Sequence, residues 1–245
     1  MSATLKDGHC IPEHSHPEDQ LLFASRGVMT VRTQDGIWVV PPLRAVWIPA
    51  NTPHSVAISG HVSMRTLYLL PKLRGLVSSK CLVLDVSPLL RELILHACTF
   101  GRLRRRCAPE QRIIEIVIDQ LKAVERVPLQ LPYPRDARAM RVVNALASDP
   151  SDHRTLEELC EAVGAGKRTV QRTFLQETGL TFGKWRQQLR LLHGLQLLAQ
   201  GDKVSSAALG AGYSSTSAFI LAFRKQLAAT PTRYLQVERL RTATA

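Results

Sequence analysis

Side chains suited to contacting bases and phosphates occur on a predicted helix near the C-terminal end of the sequence. In residues 156–174, apolar residues at i, i+3, i+4 and i+7 predict one buried helix face, and two glycines follow where the chain must turn. A second helix is then predicted to expose Lys167, Arg168, Thr169, Gln171 and Arg172. Because arginine and glutamine can make paired hydrogen bonds to base edges, this stretch is predicted to be a helix-turn-helix that reads DNA.

Residues 204–225 repeat this pattern. Their second helix is predicted to be anchored by Phe219, Phe223 and Leu227, which are spaced by four. The residues predicted to face DNA are Ser215, Thr216, Ser217, Ile220, Arg224 and Lys225. The small side chains suit positioning and looser readout, whereas the two basic ones suit phosphates. Between the copies, a long amphipathic helix is predicted over Phe182–Gln200, and it would fix the distance between two reading heads.

Residues 156–235 resemble the DNA-binding domain of the AraC/XylS family of bacterial transcription regulators. The resemblance is carried by T-V-Q-R-T-F at 169–174, E-T-G at 177–179, G-Y-S-S-T-S-A-F at 212–219 and A-F-R-K…T-P-T-R-Y at 222–234. The sequence departs from the family at Gly166, where a serine cap is usual, and at Ala228 and Leu235. These departures are expected to weaken one phosphate contact or a turn. Two helical hairpins packed merely as a bundle would not require two such motifs in register.

The charge of the sequence indicates a polyanionic partner. The 245 residues carry a net charge of +12, and residues 135–245 hold 16 basic against 9 acidic side chains.

No apolar run approaches the roughly 20 residues that span a bilayer, and the first residues lack the apolar core of a signal peptide. The five cysteines form no C-x-x-C pair. We therefore expect a cytoplasmic protein with reduced thiols, no thiolate zinc site and no membrane partner.

The first third of the sequence has the texture of a β-sheet. Six short runs, separated by turn signals, predict strands at residues 21–24, 28–33, 37–40, 45–48, 54–58 and 63–70. Many short, closely spaced strands favour a small barrel or jelly roll. Residues 1–13 are interpreted as a loose arm that leads into the first strand.

Two segments in this region, H-S-H-P-E-D-Q and W-I-P-A-N-T-P-H, resemble the two cupin motifs and the cupin-like sensor domain of the same regulator family. In metal-binding cupins the equivalent positions hold a divalent ion through imidazoles and a carboxylate. The resemblance thus implies a metal at His14, His16 and His54, with Gln20 in place of the acidic ligand. A metal-free pocket for an organic effector, in which these groups make hydrogen bonds, and merely structural histidines are the two alternatives.

Residues 86–127 change to helical patterning. One helix is predicted to bury Leu89, Leu93, Ala97 and Phe100, and a second carries a broad stripe that includes Val117 and Leu121. These helices are interpreted as packing against the sheet and forming a dimer surface. A proline-rich linker is predicted at 128–136, and the DNA-binding domain at 137–240, beginning with the helix Ala137–Ser148.

The chain is therefore predicted to be an α+β protein of two domains: a cupin-like sensor barrel at 1–85 with flanking helices, and an all-α domain with two helix-turn-helix units. The function indicated is a sequence-specific transcription regulator that senses a small molecule or a divalent metal ion. Its expected partners are operator DNA, a second copy of itself and, for an activator, RNA polymerase. A cupin-type metalloenzyme with an accessory DNA-binding domain is the alternative, although the missing acidic ligand disfavours it. An architectural DNA-binding protein would leave the first 85 residues without a role.

Overall fold

The computed structural model describes residues 1–70, 77–104, 106–227 and 229–234. The chain forms two compact units, one of Met1–Thr33 with Trp38–Gln130 and one of Gln34–Ile37 with the described residues from Leu131 onward. The first is built on an antiparallel sheet and the second is mainly helical, which confirms the predicted fold class. Arg105, Ala228 and residues 235–245, including Leu235, lie outside the described residues.

The strands are β1 Ser2–Leu5, β2 Cys10–His14, β3 Asp19–Thr33, β4 Gly36–Val40, β5 Arg44–Ile48, β6 His54–Leu69, β7 Leu82–Asp85, β8 Arg126–Val127 and β9 Gln130–Pro132. The path β1-β6-β3-β5-β7-β8 runs through the sheet, while β2 pairs with β6 and β4 pairs with β3 and β9. Among the described residues these pairings do not return to the first strand, so the predicted barrel is an open, curved sheet rather than a closed ring.

The prediction of a loose arm at residues 1–13 is wrong. Ser2 lies opposite Arg65 and Cys10 opposite Ala57, so β1 and β2 both pair with β6. The sequence conceals β2 because Pro12 lies within it, and proline is tolerated only where a strand needs no backbone donor.

Two pairs of predicted strands are continuous. Residues 21–24 and 28–33 form the single strand β3, with register shifts around Arg26, and residues 54–58 and 63–70 form β6. Gly27 has a φ of 72°, and a Cβ there would lie 2.5 Å from the His61 carbonyl oxygen. The glycine therefore marks a β-bulge within a long strand, whereas the sequence suggested a turn.

Helices α1 Pro88–Ala97 and α2 Ala108–Ala123 cover one face of this sheet. The core between them contains Leu21, Phe23, Trp47, Leu84, Leu90, Ile94, Val117 and Leu121. The predicted stripe on α2 is confirmed at Val117 and Leu121. The predicted face of α1 is wrong at Leu89, which is 53% exposed, because Leu90 and Ile94 are the buried residues. Apolar residues on both sides of this short helix make its orientation ambiguous from sequence.

The second unit contains α3 Ala137–Ser148, α4 Leu156–Ala162, α5 Lys167–Thr173, α6 Phe182–Gln200, α7 Val204–Gly210 and α8 Thr216–Leu227, with a π-helical turn at Phe174–Thr178. Within the predicted linker, the Tyr133 amide donates to the Asp35 carbonyl at 2.9 Å and the Pro132 carbonyl accepts from Trp185 Nε1 at 2.8 Å. Residues 131–133 are thus bound to the helical unit. None of the described helices is long and apolar enough to cross a membrane.

Candidate DNA-reading surface and histidine cluster

The first helix-turn-helix begins with a capping box. The Thr155 hydroxyl accepts from the Glu158 amide at 3.2 Å, and the Glu158 carboxylate accepts from the Thr155 amide at 2.6 Å. Because the carboxylate receives these hydrogen bonds, the pKa of Glu158 lies below its usual value. Helix α4 ends at a turn in which Gly164 has a φ of 63° and the Ala165 amide donates to the Cys160 carbonyl at 2.8 Å. The entry and exit of α4 are therefore both fixed by local hydrogen bonds.

Helix α5 presents one buried and one exposed face. Val170 and Phe174 are fully buried, whereas Arg168, Gln171 and Arg172 are exposed. Gly166 precedes the helix and makes no side-chain capping bond, as its residue type implies. The exposed set is the one predicted from the sequence, with Thr169 half-buried beside it.

An ion pair and a neighbouring groove bear on the roles of individual residues on this face. The Lys167 ammonium lies 2.7 Å from a Glu157 carboxylate oxygen, so its charge is partly matched within the protein. A groove of about 700 Å³ runs beside α5 and is lined by Leu156, Arg168, Thr169, Gln171, Arg172, Leu175, Thr181, Phe182 and Gly183. Leu175 is 54% exposed and follows Arg168 and Arg172 at helical spacing, a position that the sequence analysis missed.

In the second helix-turn-helix, Ala207 and Ala208 of α7 and Phe219 and Phe223 of α8 are buried. The Ser215 hydroxyl accepts from the Ala218 amide at 3.2 Å, so this predicted DNA contact also caps α8. The other predicted residues comprise the exposed Ser217, Arg224 and Lys225 and the half-buried Thr216 and Ile220.

The exposed face of α8 also carries Leu221, which is 70% exposed. It lies four residues after Ser217 and three before Arg224, in the middle of the predicted reading face. Leu221 was not predicted as a surface residue, because an apolar residue in a helix is normally assigned to the core. A leucine at this position suits apolar contact with a thymine methyl group.

Helix α6 joins the two motifs. Trp185, Leu189, Leu192 and Leu195 are buried, which confirms the predicted stripe. Arg186 donates to the Arg154 and Asp152 carbonyls, and Arg190 donates to the Asp152 carbonyl at 2.8 Å. Burial lowers the pKa of Arg186, the positive charges of Arg190 and Arg154 lower it further, and the Asp152 carboxylate opposes this shift. The loop before α4 is thereby held against α6.

The N-terminal unit brings together the three histidines that the sequence singled out. His14 lies opposite His54 across β2 and β6, and their ring centroids are 4.3 Å apart. The His16 ring lies 5.3 Å from His54 and 6.1 Å from His14. One ring nitrogen from each histidine lies within 4.8 Å of the others. His54 is completely buried and the other two are half-buried.

Backbone carbonyls orient all three rings. The Nδ1 atoms of His14, His16 and His54 lie 2.8 Å from the carbonyl oxygens of Pro12, Glu18 and Thr52, respectively. A carbonyl can only accept, so in each neutral ring the hydrogen is on Nδ1 and the lone pair is on Nε2. Burial lowers the pKa of His54, and the charges of His14 and His16 lower it further. The hydrogen bond to the Thr52 carbonyl opposes this shift.

Gln20 is the fourth predicted member of the cluster. Its Oε1 atom lies 3.1 Å from His16 Nε2. Gln20 also pairs in register with Tyr68, whose ring centroid lies 5.0 Å from that of His16 in an edge-to-face arrangement. The neighbouring Asp19 accepts from the Ala50 amide at 2.8 Å and lies on the opposite face of β3. The four predicted residues therefore converge.

Comparison with known proteins agrees with this architecture. Residues 159–236 match a family described as a helix-turn-helix domain, and residues 3–116 match one described as an AraC-like ligand binding domain. The HTH-type transcriptional regulator NimR of Escherichia coli (strain K12) is 34% identical over 224 residues, which are 91% of this chain and 82% of NimR. The regulator RipA of Corynebacterium glutamicum is 41% identical over 111 residues, which are 45% of this chain and 33% of RipA.

A solved structure of ToxT from Vibrio cholerae strain SCE256 with bound unsaturated fatty acid aligns with 96% of this chain and 93% of ToxT, at 14% identity and a TM-score of 0.42. The family matches and the identity to NimR over most of both chains decide between the regulator and the metalloenzyme considered above. The chain belongs to the AraC family of transcription regulators, with a ligand-binding domain and a helix-turn-helix DNA-binding domain, and it is not an enzyme.

Proposed function

We propose that this regulator reads operator DNA with α5 and α8, and that occupancy of its N-terminal unit by an effector controls that binding. The observation that carries the proposal is the two-sided character of both helices. Phe174 and Phe219 anchor them in the core, while polar and basic side chains face outward. A helix held in this way can lie in the major groove with its side chains against base edges.

The residue types divide the reading between the two helices. Arg168, Gln171 and Arg172 of α5 supply bidentate donors, each such base contact being worth about 1–3 kcal/mol of discrimination. On α8, Thr216, Ser217 and Ile220 offer smaller contacts, and Arg224 with Lys225 supplies charge for phosphates. Lys167, Thr169 and Ser215 complete the contact set, with Lys167 exchanging Glu157 for a phosphate.

The flanking helices α1 and α2 support a homodimer. Leu89 of α1 and Ile116 of α2 are 53% and 44% exposed, although both are large apolar residues. Covering them with a second copy would remove this surface from water. We place the dimer on its operator in the cytoplasm, where the chromosome lies, and RNA polymerase is the further partner if the protein activates.

The test of the reading surface is Arg172→Ala. An operator is first selected from random duplexes with the wild-type protein, and binding to it and to a random duplex is titrated at one salt concentration. Loss of a bidentate contact should weaken operator binding by about 5- to 150-fold and random binding far less. Arg32→Ala, which removes an exposed charge on β3, is the control and should leave both affinities nearly unchanged. An equal loss on both duplexes would contradict a base-reading role.

A further inference from the structure

We propose that His14, His16, His54 and Gln20 bind one divalent transition-metal ion, and that a small anion completes its coordination as the effector. The effector assignment rests on the sensory role proposed above for the N-terminal unit. The metal assignment rests on the hydrogen bonds within the histidine cluster.

His16 and Gln20 direct their polar atoms toward each other. His16 Nδ1 faces the Glu18 carbonyl at 2.8 Å, and its Nε2 lies 3.1 Å from the Gln20 side-chain amide. When Nδ1 donates to the carbonyl, the lone pair on Nε2 is available as a ligand. A cation could therefore be bound by both His16 Nε2 and Gln20 Oε1.

His54 carries a ring nitrogen that is available to a ligand. Its Nε2 atom is buried and has no hydrogen-bond partner among the residues that the structure describes, although a buried acceptor without a partner is destabilising. Its Nδ1 is committed to the Thr52 carbonyl, so the free lone pair points away from the backbone. His14 has the same arrangement with the Pro12 carbonyl. Backbone carbonyls that orient histidine rings in this way are the usual outer-shell support of metal ligands.

The spacing of the cluster fits a metal ion after a small closure. Bonds from zinc to imidazole are about 2.0–2.1 Å long, so two ligand nitrogens can lie at most about 4.2 Å apart. The ring nitrogens here lie within 4.8 Å of one another, and the half-buried His14 and His16 can move inward. Imidazole ligands favour zinc, nickel, copper or iron over calcium or magnesium.

The charge of the donor set points to an anion. Three neutral imidazoles and an amide leave a divalent ion with its full charge, and the group that the described residues bring together contains no carboxylate. A partly buried charge needs a counter-charge. Two hydroxyls belong to residues of β6 beside the cluster. The Tyr68 ring centroid lies 5.0 Å from that of His16, and the buried Thr66 hydroxyl, which has no hydrogen-bond partner among the described residues, lies two residues before Tyr68 on the same face of the strand. Such hydroxyls can donate to an anion bound at the cluster.

The metal is tested without DNA on the full chain, after treatment with a chelator. Calorimetric titration with zinc, nickel or cobalt should show one site per chain, and His14→Ala and His16→Ala should each weaken it by more than about 100-fold, beyond the loss typical of an outer-shell change. His9→Ala and His61→Ala remove exposed histidines outside the cluster and should leave the affinity unchanged. Equal weakening by all four variants, or no binding by the wild type, would overturn the proposal.

The anion is tested on the cobalt-loaded protein. Acetate or azide should shift its visible absorption with saturation, while perchlorate, a non-coordinating anion, should not at equal ionic strength, and Gln20→Leu should alter the cobalt spectrum. Glu18→Gln addresses the acidic side chain that lies two residues from both His16 and Gln20, and it should keep the affinity for cobalt within about threefold of the wild type. Loss of cobalt binding in Glu18→Gln, or a spectrum insensitive to both anions, would refute the anion assignment. Because no DNA is present, these results are independent of the Arg172→Ala test of operator reading.

Discussion

Gly194 lies in the middle of α6, where glycine is the least favourable residue other than proline. Helix propensity alone predicts that Gly194→Ala would stabilise the protein by about 1 kcal/mol. The structure predicts the opposite, because a Cβ there would lie 2.6 Å from Phe219 Cε2 and 3.0 Å from Cζ. Carbon atoms in contact prefer about 3.5–4.0 Å, so the overlap is roughly 1 Å.

The Phe219 ring cannot easily move aside. It is fully buried, and its ring centroid lies 5.2 Å from that of Tyr213 and 5.7 Å from that of Phe223. Overpacking of such a core costs about 1–3 kcal/mol. After subtraction of the propensity gain, we expect Gly194→Ala to destabilise the helical unit by about 1 kcal/mol, and to weaken operator binding because α8 must shift.

The assay is urea denaturation of the full chain, followed by circular dichroism at 222 nm, which reports mainly on the helical unit. Gly183→Ala is the matched control, because it lies in the same helix and a Cβ there meets nothing within 4 Å. This control should be neutral or stabilising by up to about 1 kcal/mol. If Gly194→Ala proved as stable as Gly183→Ala, the close approach of α6 and α8 would not be the reason for the glycine.

Two further predictions concern the helical unit. Thr155→Ala removes the capping box of α4 and should lower the free energy of unfolding by about 1 kcal/mol in the same denaturation assay. Thr155→Ser should retain most of the stability. Equal losses in the two variants would show that the hydroxyl does not act as a cap. Arg224→Ala should weaken binding to operator and random DNA by the same factor and reduce the slope of log affinity against log salt by about 1, as expected of a phosphate contact. A loss confined to the operator would instead assign Arg224 to base reading.

The helical unit was largely predictable because its information is local. The structure places helices at Ala137–Ser148 and Phe182–Gln200, the bounds predicted from apolar spacing. Asp136 and Thr181 cap these helices with their side chains. In contrast, the direction in which α1 turns its apolar side depends on the sheet beneath it, so Leu89 was placed on the wrong face.

The sheet was predicted less well because strand pairing depends on residues distant in sequence. Nothing local shows that Ser2 lies opposite Arg65, or that the bulge at Gly27 keeps β3 continuous. The histidine cluster shows the same limit. The H-x-H spacing places His14 and His16 near each other, but the approach of His54 requires the pairing of β2 with β6. Only the resemblance to a known motif supplied that contact in advance.

The two reading helices differ in what they can recognise, and this difference follows from their exposed residues. Helix α5 offers Arg168, Gln171 and Arg172, whose directional hydrogen bonds distinguish all four base pairs in the major groove. Helix α8 offers hydroxyls and the exposed Leu221. Leu221 can contact a thymine methyl group, but these side chains do not make the paired hydrogen bonds to one base that arginine and glutamine make. Trp185 of α6 packs against Phe174, which follows α5, and Gly194 of α6 lies against Phe219 of α8. On the function proposed above, α8 contributes affinity while α5 supplies most of the discrimination. On the proposed reading roles, we expect operator positions contacted by α8 to tolerate more substitution than positions contacted by α5.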